Sequence, residues 1–129
     1  MPEAAALSVL VVDDQMSIRA LVKQALAALG VKNVVDAPDG EEALRILKMR
    51  QIHLIISDLN MPRMDGLQLL KAVRADPVLK QIGFIMLTSR GEVELVKEAI
   101  GAGVNNYLTK PFAIGLLRKK IESVFGPLV

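Results

Sequence analysis

Five short runs of aliphatic residues recur along the chain, and each is followed by a stretch whose apolar residues have helical spacing. Residues 9–12, 54–56 and 84–87 are apolar throughout, and weaker runs lie around Val34-Val35 and at Tyr107-Leu108. Strands that are apolar on both faces are typical of parallel sheets covered by helices on each side. The pattern therefore predicts an α/β fold with a parallel sheet between two layers of helices.

Polar residues follow four of these five runs. Asp13 and Asp14 come after the first run, Asp58 after the third, Thr88 after the fourth and Lys110 after the fifth. Right-handed crossovers place the cleft of an open parallel sheet at the carboxyl ends of its strands. We therefore expect these five side chains to converge at one edge of the sheet.

Three carboxylates in one cleft repel each other and are costly to bury without cations. Mg²⁺ prefers oxygen ligands, and its charge together with that of Lys110 would balance the charges of Asp13, Asp14 and Asp58. Aspartate is a known nucleophile in aspartyl-phosphate chemistry. The sequence thus predicts a magnesium site that can hold a phosphoryl group, although each residue alone is compatible with a turn, cap or surface role.

Composition limits the remaining possibilities. A chain of 129 residues is expected to form one domain over residues 1–129, and we expect a monomer. The net charge of +2 argues against direct nucleic-acid binding. The chain contains no cysteine, no signal-peptide pattern and no apolar run of the ~20 residues that a membrane span needs, so a cytoplasmic location is expected.

Four motifs carry a family resemblance. They are Asp13-Asp14, residues 58–66 with the string Asn-Met-Pro-Arg-Met-Asp-Gly, Thr88, and residues 107–112. In order and spacing, over nearly the whole chain, they resemble the receiver domains of bacterial response regulators, and most of all the stand-alone chemotaxis regulators. The resemblance implies a flavodoxin-like (βα)5 sandwich with strand order 2-1-3-4-5. Strand two would then be an edge strand that contributes no site residue.

The resemblance also implies a role for each acidic residue. Asp58 would accept a phosphoryl group from a sensor histidine kinase. Asp14 and Asp58 would bind Mg²⁺ directly, Asp13 would act through water, and Asn60 would offer its backbone carbonyl. The family pattern further implies a cis peptide bond between Lys110 and Pro111.

A second set of implied roles concerns switching. Lys110 would pair with Asp58 and then with the phosphoryl oxygens, while Thr88 would donate a hydrogen bond to the phosphoryl group. As Thr88 moves inward, Tyr107 would fill the vacated space, and the surface formed by helix four, strand five and helix five would change. This surface is expected to include Gly91, Tyr107, Phe112 and Lys120, and to control a downstream protein, in chemotaxis the flagellar motor switch.

Two residues bear on how long the phosphoryl group remains. Magnesium-dependent phosphatases that use an aspartyl-phosphate typically have a second acid two residues after the nucleophile. Here that residue is Asn60, so we expect a phosphoacceptor with slow self-phosphorylation and slow autodephosphorylation at most, and not a turnover enzyme. Arg90 stands where the chemotaxis regulators have an acidic residue, and we hypothesise that it alters the dephosphorylation half-life.

Other functions stay open at this point. A scaffold that works without phosphorylation has the same fold but no need of the acceptor, the acidic pair, the threonine and the lysine together. The overall resemblance favours chemotaxis, but receiver domains also serve phosphorelays, cell-cycle circuits and larger multidomain regulators. The sequence identifies neither the cognate kinase nor the downstream target.

Overall fold

The computed structural model describes residues 3–89 and 92–129 and contains five strands and five α-helices in strict alternation. The strands are β1 (Ser8–Val12), β2 (Asn33–Ala37), β3 (Leu54–Asp58), β4 (Gly83–Thr88) and β5 (Asn106–Thr109). The helices are α1 (Met16–Ala28), α2 (Gly40–Met49), α3 (Gly66–Ala75), α4 (Val93–Gly101) and α5 (Ile114–Phe125). The predicted alternation of strands and helices is confirmed.

All five strands pair in parallel, in the order β2-β1-β3-β4-β5. The order confirms the flavodoxin-like fold implied by the family resemblance, with β2 at one edge. Strand order reverses between β1 and β3, and in such a sheet ligands bind in the crevice at this switch point. Asp13 and Asp58 lie at the carboxyl ends of these two central strands.

The core has two halves, one on each face of the sheet, because successive side chains of a strand point to opposite faces. Leu10, Ile55 and Phe84 pack with α2, α3 and α4 on one face. Val11 and Ile56 pack with α1 and α5 on the other. Both halves consist of buried, mainly aliphatic side chains, so the sheet is a rigid platform for residues at its carboxyl edge.

Local capping explains where two of the helices begin. The Asp39 carboxylate is the N-cap of α2 and accepts a hydrogen bond of 2.9 Å from the Glu42 N–H. Asp65 forms a complete capping box with Gln68 at the start of α3.

Ser89 and Glu92 have the sequence spacing of a capping box, but the start of α4 departs from that pattern. The carboxylate of Glu92 does accept a hydrogen bond from the Ser89 backbone N–H. The helix nevertheless begins only at Val93, since the backbone angles of Glu92 (φ −92°, ψ 31°) lie outside the helical range. Arg90 and Gly91, to which a half-life effect and a place on the switch surface were assigned, lie outside the described residues.

Two further sequence expectations can be compared with the fold. The peptide bond between Lys110 and Pro111 is cis, as the family pattern implies. Within residues 3–89 and 92–129, none of the helices combines the length and the apolar character needed to cross a bilayer.

Candidate functional site

Asp58 is the last residue of β3 and is almost completely buried, with 6% of its surface exposed. The chain turns directly above it, where the Gly66 N–H donates a 3.0 Å hydrogen bond to the Leu59 carbonyl. A Cβ atom at Gly66 would lie 2.2 Å from the backbone oxygen of Asp58, so only glycine fits at this position. The close approach of the two backbones holds the β3–α3 loop against the end of the strand.

The acidic pair lies beside Asp58 at the end of β1. The Asp13 N–H continues the sheet by donating to the Ala37 carbonyl at 3.1 Å, and its carboxylate Oδ1 accepts a 2.9 Å hydrogen bond from the Gln15 N–H. Asp13 is fully buried and Asp14 is exposed. One oxygen from each of Asp13, Asp14 and Asp58 lies within 4.8 Å of the others, so the structure brings the three predicted acids together.

Lys110 places the cationic group of the site between two of these acids. Its Nζ lies 3.2 Å from Asp58 Oδ1 and 3.6 Å from Asp13 Oδ2. The backbone supports this position, since the Lys110 N–H donates to the Thr88 carbonyl at 2.8 Å just after β5 ends. The structure thus brings Lys110 and Asp58 together, as predicted.

Burial disfavours negative charge in this pocket. It raises the pKa of Asp58, and the charge and hydrogen bond of Lys110 only partly oppose this effect. Burial also raises the pKa of Asp13; the Gln15 N–H and Lys110 lower it, whereas the charges of Asp58 and Asp14 raise it further. One ammonium group is thus too little positive charge for three carboxylates, and the site favours an additional cation.

The donor set fits Mg²⁺. Among the described residues, Asp13 Oδ2 is buried without a hydrogen-bond partner, which leaves one acceptor unsatisfied at the centre of the acidic group. The ligand atoms available are all oxygens, as a hard divalent cation requires. A cavity of about 480 Å³ is lined by Asp14 and Asp58 and leaves room for a phosphoryl group. Its lining includes Asp14, Gln15, Asp58, Asn60, Met61, Pro62, Ser89, Glu92 and Lys110.

Thr88 is placed differently from the acids. It is buried at the end of β4, and its hydroxyl lies 3.4 Å from the Thr109 hydroxyl across the β4–β5 pair. It lines a second cavity of about 290 Å³ together with Val96 of α4, Tyr107 and Thr109. The hydroxyl is therefore directed towards β5 in this structure, and its contact with a phosphoryl group would need a movement of the side chain.

Three residues assigned to the switch surface lie in the β5–α5 region: Tyr107 is in β5, Lys120 is in α5, and Phe112 is in the loop between them. Tyr107 is 39% exposed, and Lys120 Nζ lies 5.3 Å from the centre of its ring while also contacting Asn106 Oδ1 at 3.1 Å. Phe112 is partly buried and packs on the α1–α5 half of the core. Asn60 is exposed at the rim of the acidic cavity.

Several residues at the site were not predicted from the sequence. Glu92 and Ser89 line the acidic cavity, and Thr109 is the neighbour of the Thr88 hydroxyl. Arg19 of α1 donates a 2.6 Å hydrogen bond to the Asp13 backbone carbonyl. Thr109 directly precedes Lys110, so its position at a strand end was a usable signal, but the contact of Arg19 has no sequence signature.

Comparison with known proteins agrees with this geometry. Residues 9–122 match the family model of the response regulator receiver domain. A curated relative, the "Probable chemotaxis protein CheY" of Rhizobium etli, is 47% identical over 122 residues, which cover 95% of each chain. Relatives this similar over almost their whole length share the fold and the family of this chain.

Solved structures give the same result. The chemotaxis response regulator CheY4 of Vibrio cholerae superposes with a TM-score of 0.83 at 37% identity, covering 92% of this chain and 98% of that one. The receiver domain of a signal transduction histidine kinase from Syntrophus aciditrophicus superposes with a TM-score of 0.84 at 29% identity, covering 92% and 89%. The chain belongs to the family of response regulator receiver domains, the signalling switches of two-component systems.

Proposed function

We propose that this receiver domain is switched by magnesium-dependent phosphorylation of Asp58, with a sensor histidine kinase as phosphodonor. The observation that carries the proposal is the Lys110–Asp58 pair at 3.2 Å inside a group of three carboxylates, of which Asp13 and Asp58 are buried. Holding three carboxylates close together costs free energy of folding. The same arrangement forms a site where a cation and a phosphoryl group can bind. We also propose that residues 1–129 act as one domain.

Phosphoryl transfer at this site needs little covalent chemistry from the protein. A carboxylate oxygen of Asp58 would attack phosphorus, the phosphorus–nitrogen bond to the donor imidazole would break, and the departing nitrogen would keep the electron pair. Lys110 is positioned to neutralise charge on the phosphoryl oxygens as they approach. Bound Mg²⁺, held by Asp13, Asp14, Asp58 and the Asn60 carbonyl, would supply the remaining positive charge.

The site is built for a signal and not for turnover. Hydrolysis of an aspartyl-phosphate by a dedicated phosphatase uses a second acid to activate water, and the side chain at the rim position is the amide of Asn60. Glu92 lies at the same cavity, but its carboxylate is engaged by the Ser89 N–H. We therefore propose a long-lived phosphoryl group, with the Arg90 side chain as an additional influence on its half-life.

Switching would begin at Thr88. Among residues 3–89 and 92–129, its hydroxyl is held only by the long 3.4 Å contact to Thr109, so a charged phosphoryl group offers a stronger acceptor. The cavity of about 290 Å³ between Thr88, Val96 and Tyr107 provides space into which the Tyr107 ring could rotate. Movement of Thr88 and Tyr107 would alter the surface of α4, β5 and α5, to which Phe112 and Lys120 are also assigned; Gly91, the remaining residue of the predicted switch surface, lies outside the described residues.

That surface is suited to a protein partner. Large apolar side chains are exposed along α4, β5 and the start of α5, and they comprise Val93, Leu95, Ile100, Tyr107, Ile114 and Leu116. Relatives named as chemotaxis proteins favour a component of the flagellar motor switch as this partner. A place in a phosphorelay is the second candidate, because a neighbour of similar fold is the receiver domain of a histidine kinase.

A binding experiment separates these proposals. The protein would be locked with beryllofluoride and Mg²⁺, and its affinity for the motor-switch protein and for a histidine phosphotransfer domain of the same organism would be measured with and without the lock. We expect the locked form to bind the motor-switch protein at least tenfold more tightly. Tyr107→Ala should weaken that binding while leaving phosphorylation of Asp58 intact. Equal affinity of wild type and Asp58→Ala under both conditions would revive the scaffold alternative.

A further inference from the structure

We infer that Arg19 is a positioning residue for the metal site, and that Asp36 of β2 anchors it. The inference rests on the proposed function, because it concerns affinity for the divalent cation that the acidic group would bind. It also changes the role of β2, which was expected to contribute nothing to the site. The edge strand would act on the acidic pair through a side chain of α1.

The guanidinium of Arg19 bridges two elements. Its Nη1 donates to the backbone carbonyl of Asp13 at 2.6 Å, and its Nε donates to Asp36 Oδ2 at 2.9 Å. Asp36 lies in β2 opposite Val11 of β1, two residues before Asp13. The planar fork of an arginine can hold both partners at once, which a lysine cannot do.

The bridge fixes a part of the backbone that the sheet leaves less constrained. The Asp13 N–H is bound to Ala37, but β1 ends at Val12, so the Asp13 carbonyl lies beyond the strand. Arg19 binds this carbonyl from a largely buried position, with 13% of its side chain exposed. Because the next residue is Asp14, rotation of this peptide would move both acids relative to Asp58.

Two opposing effects on the cation can be distinguished. A positive charge near the site would repel Mg²⁺, so its removal would tighten binding, whereas loss of the bridge would misplace the acids and weaken binding. The charge of Arg19 is compensated by Asp36, which Lys23 also approaches at 3.7 Å. We therefore expect the positional effect to dominate, and partners that orient metal ligands typically contribute about 10- to 100-fold to metal affinity.

The experiment is a Mg²⁺ titration of the purified protein by calorimetry. Arg19→Gln and Arg19→Lys are expected to bind Mg²⁺ about tenfold more weakly than wild type, since lysine keeps the charge but not the bridge. Asp36→Asn should weaken binding in the same direction. Lys23→Gln is the matched control, because Lys23 contacts the same carboxylate with 44% of its side chain exposed and does not contact the Asp13 carbonyl; its affinity should be unchanged.

Thermal unfolding without Mg²⁺ measures the structural contribution of each variant separately. If Arg19→Gln does not fold, Arg19→Lys and Asp36→Asn still test the inference. Wild-type affinity in the folded Arg19 variants, or tighter binding in Arg19→Gln alone, would overturn it. If wild type itself binds no Mg²⁺, the proposed function fails at its metal requirement, and that result is distinct from failure of the positioning role.

Discussion

At the scale of single residues, the carboxylate of Asp13 is the clearest example of a site group that lowers the stability of the folded protein. It is fully buried, one of its oxygens has no hydrogen-bond partner among the described residues, and the nearest cation is 3.6 Å away. Burial raises its pKa, which means that folding opposes its ionisation. The unfavourable charge is the feature that a divalent cation would relieve.

Asp13→Asn should therefore stabilise the metal-free protein at neutral pH, by roughly 1 kcal/mol, as is common when a strained functional site is relaxed. Asparagine keeps an oxygen that can accept the Gln15 N–H and removes the charge. The measurement is the free energy of unfolding by denaturant without Mg²⁺. Asp14→Asn serves as control, and its effect should be smaller because Asp14 is exposed.

The pH dependence of this difference has a definite sign. A carboxyl whose pKa is raised by folding contributes stability below its ordinary value of 3.8, and this contribution is lost as the pH rises through the folded-state pKa. The gain from Asp13→Asn should thus be largest at neutral pH and disappear in acid. A variant that is less stable than wild type at neutral pH would contradict the electrostatic interpretation.

The location of a site residue could be predicted from the sequence where the end of a strand alone determines it. Asp13, Asp14, Asp58 and Lys110 converge as expected because the ends of neighbouring parallel strands meet at one edge. The direction of the Thr88 hydroxyl could not be predicted, since it depends on a side-chain rotamer and on Thr109 in the adjacent strand.

At the scale of elements, the β3–α3 connection shows how closely the loops approach the site. Gly66→Ala should destabilise the protein by about 3 kcal/mol, because the added Cβ would lie 2.2 Å from the backbone oxygen of Asp58, which cannot move aside as readily as the Met86 side chain that it would also meet. Its Mg²⁺ affinity should fall as well, since Asp58 would be displaced. Denaturant unfolding and calorimetric titration measure the two effects.

Gly115→Ala is the matched control for this substitution. It lies near the start of α5, and a Cβ there would have no neighbour within 4 Å among the described residues. We expect it to be neutral or stabilising by about 0.5 kcal/mol, because alanine is a better helix former. Equal stability of the two variants would show that the close approach at Gly66 is not a constraint.

The β5–α5 pair contains the contact that should hold Tyr107 in its exposed position. Lys120→Gln removes a cation–π contact worth about 0.5–1 kcal/mol and should shift the ring two- to fivefold towards the cavity beside Thr88. Tyr107 is the single tyrosine of the chain, so a fluorotyrosine label gives one ¹⁹F resonance that reports this shift. The neighbouring Lys119→Gln is the control, and identical spectra for both variants would refute the role of Lys120.

Element boundaries could be predicted to within a few residues, with one instructive exception. The strand ends and the caps at Asp39 and Asp65 follow from local chemistry. The start of α4 does not, because Glu92 reaches back to Ser89 as in a capping box while its own backbone is not helical. A glutamate side chain can accept this hydrogen bond whether or not its own backbone is helical. The contact is therefore a weak indicator of where a helix begins.

At the scale of the whole molecule, the apolar pattern alone predicts the layers, and the family resemblance supplies the strand order. What neither provides is the connection between distant elements, such as the link from β2 through Arg19 to the acidic pair. Such links depend on which long side chains meet after folding.

Phosphorylation of Asp58 and its dependence on Mg²⁺ can be tested together in one experiment. The most direct measurement is intact-mass spectrometry after incubation with a small phosphodonor, followed by peptide mapping, for wild type and Asp58→Asn with Mg²⁺ or with a chelator. We predict one added phosphoryl group on Asp58 of wild type only when Mg²⁺ is present, and none on Asp58→Asn. Phosphorylation that persists in Asp58→Asn, maps to another residue or is unaffected by the chelator would contradict the account.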